Sequence, residues 1–312
     1  MTHGSTKIES KGACIYCGAA DVKLTDEHIV PLSIGGQHVL LKASCNECNK
    51  ITSKFELDVA RGLWGDARNS YNAPSRRKAK RKKDIILTNP NAPHLKLKIP
   101  YSEYPAPMIF YEMDAAGILT GTPYSINTSC FWKLKSIVDE ERLQKFEEKY
   151  PKQLTAKFKH CPDSFARMIA KIGYGQVLCS LDPNDFEPIC LPFILGKQTN
   201  YSYIVGGQEG IPEPLEDLGY KLSTHTFSDS EQMAILAEIR LIADSHTPIY
   251  HVLVGVVNGK DNIERISKKV QATYAVTIPQ NTKAQQQKPA DNFHWMPRVW
   301  PLFDNKNPKQ QY

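Results

Sequence analysis

Two pairs of cysteines near the N-terminus place the strongest constraint on how this chain can fold. Each pair has the spacing Cys-x-x-Cys, with Cys14 and Cys17 in the first and Cys45 and Cys48 in the second. Two such pairs can surround one zinc ion tetrahedrally and leave no open position on the metal. The spacing therefore predicts a structural zinc site, with one zinc ion per chain, that joins the two ends of the segment between the pairs.

The N-terminal residues and the cysteines indicate the cellular compartment of the protein. The first 11 residues are polar and lack the apolar core of a signal peptide. No apolar run approaches the ~20 residues that span a bilayer. We therefore expect a cytoplasmic protein without a membrane partner. In such a reduced compartment, paired cysteines bind metal rather than form disulfides. Four further cysteines lack paired spacing and are expected to be small core residues or incidental: Cys130, Cys161, Cys179 and Cys190.

The residues around the cysteine pairs predict a hairpin followed by a helix. Residues 24–30 are typical of a short strand, and the glycines at 35–36 permit a turn. Residues 39–41 can return as the second strand. From residue 46 to about residue 62, apolar side chains recur at four-residue steps, which is typical of one face of a helix. The segment therefore predicts a small ββα unit held at its base by zinc.

Three polar side chains in this unit have the chemistry for phosphodiester hydrolysis. Glu27 and Asn49 offer the oxygen ligands that Mg²⁺ or Mn²⁺ prefers, and His28 can accept a proton from water. Adjacent residues on a regular strand point to opposite faces, so Glu27 and His28 can serve one phosphate only where the strand is twisted or bulged. By the same alternation, Asp26 is a rival acidic ligand.

Taken together, these motifs resemble the HNH endonuclease family, whose module is the ββα-metal, or His-Me, finger. Family members show C-x-x-C, an acidic residue or histidine before His-Ile-x-Pro, a Gly-Gly turn, and C-x-x-C followed by His or Asn. The corresponding residues here are Cys14, Cys17, Glu27-His28-Ile29-Val30-Pro31, Gly35-Gly36, Cys45, Cys48 and Asn49. The resemblance covers roughly residues 12–70. It implies that His28 is the general base, that Glu27 and Asn49 hold a catalytic Mg²⁺ or Mn²⁺, and that the cysteines bind a separate zinc.

The chain departs from the family pattern at one place. The family usually has an asparagine on the second strand that braces the loop holding the base, whereas residues 37–44 contain none. Gln37, His38 or a backbone carbonyl would have to orient His28 instead.

Positive charge is concentrated near the cysteine pairs. Residues 1–100 carry 17 Lys and Arg against 9 Asp and Glu, while the remainder carries 22 against 24. The basic run at 76–83 can bind phosphates or be a solvated linker. The candidates for contacts with the nucleic-acid backbone are Lys50, Lys54, Arg61, Arg68, Arg76, Arg77, Lys78, Lys80, Arg81, Lys82 and Lys83. Such contacts would position a nucleic acid without reading its sequence.

Beyond the basic run, the pattern mixes strands and helices. We expect a strand at 117–120, helix-forming sequence over 131–149, and a strand at 202–205. Strands at 234–242 and 250–257 are expected to form a hairpin around the turn at 245–248. The predicted fold class is α+β, with an N-terminal zinc-stapled ββα-metal (HNH) module followed by a mixed α+β domain. The predicted boundaries are 1–72 for the nuclease module, 73–84 for a basic linker, 85–279 for a recognition or regulatory domain, and 280–312 for a mobile tail.

The leading functional hypothesis is a metal-dependent endonuclease acting on nucleic acid. Double-stranded DNA is the favoured substrate because most relatives of this kind cut DNA, although the residues do not exclude RNA. The alternative is a non-catalytic zinc module that binds nucleic acid, but simple binding gives no reason for Glu27 beside His28. By analogy, a nuclease with such an attachment resembles restriction, phage-borne or anti-phage systems. The oligomeric state is left open, a homo-oligomer included.

Overall fold

The computed structural model describes residues 6–74, 81–150, 154–210, 219–242 and 246–274. Most of the predicted basic run, residues 76–80, and the predicted tail at 280–312 lie outside the described residues. The described chain combines helices with several sheets. The predicted α+β class is therefore confirmed.

The N-terminal part forms the predicted hairpin and helix. Strand β2 (Leu24–His28) pairs antiparallel with β3 (Val39–Cys45), and helix α1 (Asn46–Asp58) follows directly. A short strand, β1 (Lys7–Ile8), lies parallel to β3. After α1, a π-helical turn (Val59–Leu63) leads into the short helix α2 (Gly65–Ser70).

The remaining elements form three antiparallel sheets and a set of helices. Two sheets have two strands each: β4 (Asp84–Asn89) with β5 (Ala92–Pro100), and β6 (Met108–Glu112) with β7 (Lys133–Ile137). The third has the order β8-β11-β10-β9, formed by β8 (Val205–Gln208), β9 (Tyr220–Ser228), β10 (Gln232–Leu241) and β11 (Ile249–Asn258). The helices are α2 (Gly65–Ser70), α3 (Gly117–Thr120), α4 (Glu140–Lys149), α5 (Pro162–Val177), α6 (Leu191–Ile194) and α7 (Lys260–Tyr274). Among the described residues, none of the helices has the length and apolar character needed to cross a bilayer.

Helix α5 connects the N-terminal module to the four-stranded sheet. It packs against α1 and against all four strands of that sheet, and most of its side chains are buried. Two glycines permit this close packing. A Cβ on Gly173 would lie 3.1 Å from the Cβ atoms of Ala237 and Val252, and one on Gly175 would lie 3.3 Å from the Cγ2 atom of Ile29. The module and the sheet therefore share one hydrophobic core through α5.

Trp64 makes a second connection between the module and the rest of the chain. Its buried indole N–H donates to the carbonyl of Ile109 at 2.6 Å. Its ring contacts Phe110 and Phe165 with centroid distances of 5.6 and 5.7 Å. The turn after α1 is thus held by β6 and α5.

Three predictions of secondary structure were wrong in part. Residues 117–120 form the short helix α3 rather than a strand, because Gly121 adopts φ 71° and its N–H closes the turn on the carbonyl of Gly117. Residues 133–137 form β7, and the helix begins only at Glu140, where the side chain of Asp139 caps it by accepting from the N–H of Arg142.

The third error concerns residues 202–205. A 3₁₀ turn occupies Tyr201–Tyr203, and the strand starts at Val205. The hairpin predicted around residue 246 is confirmed, because β10 and β11 pair antiparallel from Gln232 opposite Asn258 to Arg240 opposite Ile249.

Candidate functional site

The four paired cysteines come together at the base of the hairpin. Their sulfur atoms all lie within 4.8 Å of one another, and the Sγ atoms of Cys17 and Cys45 are 3.7 Å apart. A tetrahedral site with Zn–S bonds of about 2.3 Å places its sulfurs about 3.8 Å apart. The donor set and its spacing therefore fit a structural zinc ion. Within the described part of the chain, it is the one group of metal-ligating residues with this geometry.

Local backbone hydrogen bonds position both cysteine pairs. In the first, Gly18 adopts φ 75° and its N–H donates to the carbonyl of Cys14 at 2.8 Å, which closes the turn. In the second, the N–H of Cys48 donates to the sulfur of Cys45, and the N–H of Cys45 donates to the sulfur of Cys14 at 3.3 Å. The hydrogen bond from Cys48 is the main cause that lowers the pKa of Cys45 to about 7. This hydrogen bond favours the thiolate of Cys45, whereas burial raises the pKa of Cys48, so zinc itself would have to stabilise the thiolate there.

A groove of about 380 Å³ lies between the hairpin and α1, and it brings the three predicted catalytic residues together. Glu27 and His28 line it from the end of β2, and Asn49 lines it from the first turn of α1. Glu27 is buried, whereas His28 and Asn49 are half-buried. The cysteines position this groove indirectly, because Cys45 and Cys48 end β3 and start α1.

The irregular strand that the sequence required is present. The pairing of β2 with β3 shifts register between Thr25 and Glu27, where one residue of β2, Asp26, lies opposite residues 41–43 of β3, so the extra residues of the bulge belong to β3. The Oδ1 atom of Asp26 accepts a hydrogen bond from the N–H of Lys42 at 3.0 Å, and Lys42 has φ 45°. Asp26 therefore helps to hold the bulged hairpin, and Asp26, Glu27 and His28 all line the groove.

A buried lysine from α5 contacts the end of β2. The Nζ atom of Lys171 lies 2.7 Å from the Oε1 atom of Glu27 and 2.7 Å from the Oε1 atom of Glu56. It also donates to the backbone carbonyl of His28. The side chain of Lys171 is only 2% exposed. This lysine therefore joins α1, β2 and α5 at the floor of the groove.

The pKa shifts of this cluster follow from burial and charge. Burial raises the pKa of Glu27, and the nearby charge of Lys171 acts against that rise. Burial alone would lower the pKa of Lys171, but the carboxylates of Glu27 and Glu56 outweigh it and raise that pKa above its usual value. Lys171 is therefore a buried ammonium ion whose charge is balanced by carboxylates.

The segment that lacks the family's asparagine is held from the four-stranded sheet. The backbone N–H of Gln37 donates to the hydroxyl of Tyr220 at 3.4 Å, and the rings of His38 and Tyr220 meet edge to face at 6.2 Å. The carbonyl of His38 accepts from the N–H of Ile29 at 3.0 Å. Backbone groups of residues 37 and 38, together with Lys171, thus support the segment that carries His28.

The basic candidates fall into two groups. Arg68 lines the groove, but its guanidinium donates to the carbonyls of Ser33, Ala60 and Pro74, and burial lowers its pKa. Arg81 likewise donates to Asn72 and to the carbonyl of Ala73. The exposed candidates are Lys50, Lys54, Arg61, Lys82 and Lys83. Arg76, Arg77, Lys78 and Lys80 lie outside the described residues.

Sequence reasoning missed Lys171. It lies 143 residues from His28 along the chain, so local spacing could not connect them. One signal was present, because Lys171 interrupts the apolar face of a helix between Ile169 and Ile172. A lysine at such a position needs a buried partner.

Comparison with known proteins assigns the N-terminal module. Residues 14–59 match the family model described as HNH endonuclease. No curated protein and no solved structure gives a match to the chain. The matched segment contains both cysteine pairs, Glu27, His28 and Asn49, and the fold brings the four cysteines close together. Residues 14–59 of this chain are therefore similar to the HNH endonuclease family model, with the four cysteines close together in the fold.

Proposed function

We propose that this chain is a metal-dependent endonuclease that hydrolyses phosphodiester bonds in nucleic acid, with double-stranded DNA as the favoured substrate. The observation that carries the proposal is the meeting of Glu27, His28 and Asn49 in one groove of the matched module. These three side chains combine a proton acceptor with oxygen donors, which phosphodiester hydrolysis requires.

His28 is the proposed general base. It lies at the end of β2, where the groove is open to a substrate, and it would take a proton from the attacking water. The hydrogen bond from Lys171 to the carbonyl of His28 and the bond from Ile29 to the carbonyl of His38 limit movement of this strand end. Lys171 and the carbonyl of His38 therefore both support the segment that carries the proposed base.

Glu27 and Asn49 would hold the catalytic Mg²⁺ or Mn²⁺. The ion, when bound, supplies positive charge that stabilises the charge developing on the phosphate and on the leaving oxygen. The groove offers oxygen donors to a cation, because the carboxyl group of Glu27 and the side chain of Asn49 both line it.

The zinc ion has a different role in this proposal. Four cysteine ligands would close its coordination shell, so it would hold the hairpin against α1 rather than take part in the reaction. The exposed side chains of Lys50, Lys54 and Arg61 would contact the phosphate backbone beside the groove. Contacts from residues 76–80 remain a prediction.

Plasmid cleavage tests the proposal. The wild-type protein is expected to cut DNA in the presence of Mg²⁺ or Mn²⁺, and His28→Ala should lower the cleavage rate by about 10²-fold or more because the base is lost. Asn49→Ala should raise the Mg²⁺ concentration needed for half-maximal cleavage, because a proposed metal ligand is lost. His94→Ala is a matched control, since His94 is exposed on β5 outside the matched module. Undiminished cleavage by folded, zinc-loaded His28→Ala protein would contradict the mechanism.

One observation favours a second function, that of a non-catalytic zinc module that binds nucleic acid. The Oε1 atom of Glu27 already contacts Lys171, and Glu27 is only 5% exposed. In that case, the wild-type protein would bind DNA but would not cut it with either metal. The same plasmid assay, combined with a gel-shift measurement, separates the two functions.

A further inference from the structure

We infer that Lys171 is a positioning residue of the nuclease site, supplied by α5 from outside the matched module. The inference rests on the proposed function for its catalytic consequence, but its structural part stands on the contacts of the Nζ atom. Lys171 would fix the carboxylate of Glu27 and the backbone of His28 in the arrangement that the groove requires.

The ammonium group of Lys171 contacts more acceptors than it has donors. A lysine ammonium has three N–H donors. It forms ion pairs with the carboxylates of Glu27 and Glu56, and it donates to the backbone carbonyls of His28 and Ile29. Because two separate chain segments supply these partners, the end of β2 and helix α1, a turn of the ammonium would break at least one of these contacts. One side chain thereby couples the proposed metal ligand to the backbone of the proposed base.

Lys171 acts through its neighbours rather than on the substrate. Its side chain is 2% exposed, and its charge is enclosed between two carboxylates. A phosphate group in the groove would meet His28 and Asn49, which are more exposed. The effect of Lys171 on catalysis must therefore come from orientation.

The position of Lys171 is itself fixed by packing. The hydroxyl of Tyr174, three residues further along α5, donates at 2.6 Å to the carbonyl of Ile15, which lies between the first two cysteines. Gly175 brings the same helix against Ile29. The helix therefore contacts both the zinc knuckle and the strand that carries His28. Any displacement of α5 would move Lys171 relative to both.

The test compares two variants that differ only at Lys171. The single variant, Glu56→Gln, keeps the contacts of Lys171 with Glu27 and His28. The double variant, Lys171→Met with Glu56→Gln, removes these contacts. It also leaves one buried carboxylate fewer than Lys171→Met alone would leave. Positioning predicts that Glu56→Gln keeps a kcat close to that of the wild type. The double variant should lose about 10- to 100-fold in kcat with an unchanged KM, because small misplacements of reacting groups have effects of this size.

A second readout does not depend on activity. The dipeptide His-Ile occurs once in the chain, at residues 28–29. Labelling histidine carbonyls with ¹³C and isoleucine nitrogens with ¹⁵N therefore gives a single HNCO cross-peak, which reports on the carbonyl that accepts from Lys171. We expect this cross-peak to move in the double variant and to stay near its wild-type position in Glu56→Gln.

The outcomes separate this inference from the proposed function. If the wild-type protein does not cut DNA, the nuclease proposal fails, and the cross-peak alone then decides whether Lys171 holds His28. If the wild type cuts DNA and the folded double variant keeps its kcat or its cross-peak position, the inference is overturned. Should the double variant not fold, a crystal structure of the wild type decides. A Lys171 Nζ atom more than about 4 Å from both Glu27 and the carbonyl of His28 would overturn the inference, since that exceeds hydrogen-bond reach.

Discussion

The cysteine centre and the groove are neighbours in the same module, yet they are built in different ways. All four cysteines lie between residues 14 and 48, and backbone N–H groups of the same segment donate to two of their sulfurs. The groove takes Glu27, His28 and Asn49 from the same segment, but its buried charge is balanced by Lys171 from α5. The first site depends on local spacing, and the second depends on the tertiary packing of a distant helix.

The two sites also differ in the source of their positive charge. Four thiolates require a metal ion for neutralisation, so the cysteine centre would lose its organisation without zinc. In the groove, the ammonium of Lys171 already balances part of the charge of Glu27 and Glu56. We therefore expect the groove to keep its shape when the catalytic cation is removed, while the cysteine centre should not survive the removal of zinc.

The largest expected effect is that of Cys45→Ser, which breaks the locally built site. Loss of this ligand should release zinc and unfold the N-terminal module, because structural zinc contributes about 10 kcal/mol or more to folding in small zinc domains. Metal analysis and circular dichroism measure both effects. Cys130→Ser is the control, since Cys130 is exposed and lies outside the cluster. Full zinc content and a native spectrum in Cys45→Ser would contradict the assignment of this ligand.

Trp64→Ala should have the next largest effect, because Trp64 connects the module to β6 and α5. Removal of this buried ring and of its hydrogen bond to Ile109 should lower the free energy of unfolding by about 3–5 kcal/mol. Zinc should stay bound, because Trp64 does not belong to the cysteine cluster. Urea denaturation measures the change, with Phe131→Ala as a control at a ring that is 73% exposed. A loss below about 1 kcal/mol in the free energy of unfolding would show that the contacts of Trp64 contribute little to stability.

The smallest effects distinguish the two kinds of basic residue beside the groove. Arg68→Met should cost about 1–3 kcal/mol of stability, because half-buried carbonyls lose their donor. Lys50→Ala should change stability by no more than about 0.5 kcal/mol, since Lys50 is exposed and pairs only with the exposed Glu47.

For the affinity for DNA, we expect Lys50→Ala to have a larger effect than Arg68→Met. Lys50→Ala should weaken affinity and reduce the dependence of log K on log salt by about 1, as expected for one lost phosphate contact. Fluorescence anisotropy at several salt concentrations measures this slope. An unchanged slope in Lys50→Ala would remove Lys50 from the predicted nucleic-acid surface.

The parts of the site that were predictable are those encoded by short-range patterns. The cysteine spacing predicted the cluster, and the alternation of side chains on a strand required the bulge that the structure has between Thr25 and Glu27. Residues 117–120 were assigned wrongly because four apolar and small residues suit either a strand or a turn, and the conformation of Gly121 decides between them. Lys171 could be identified as unusual but not placed, because its partners depend on how α5 packs against β2.

The central claim is that zinc holds the module while a second cation serves the groove, and metal removal tests it most directly. Purified protein is dialysed against buffer free of Mg²⁺ and Mn²⁺ and without a chelator, and its zinc content, circular dichroism and plasmid cleavage are measured before and after Mg²⁺ is restored. We predict that one zinc per chain and the native spectrum persist throughout, while cleavage stops after dialysis and resumes with Mg²⁺. Cleavage that continues in zinc-loaded protein without Mg²⁺ or Mn²⁺ would contradict the account.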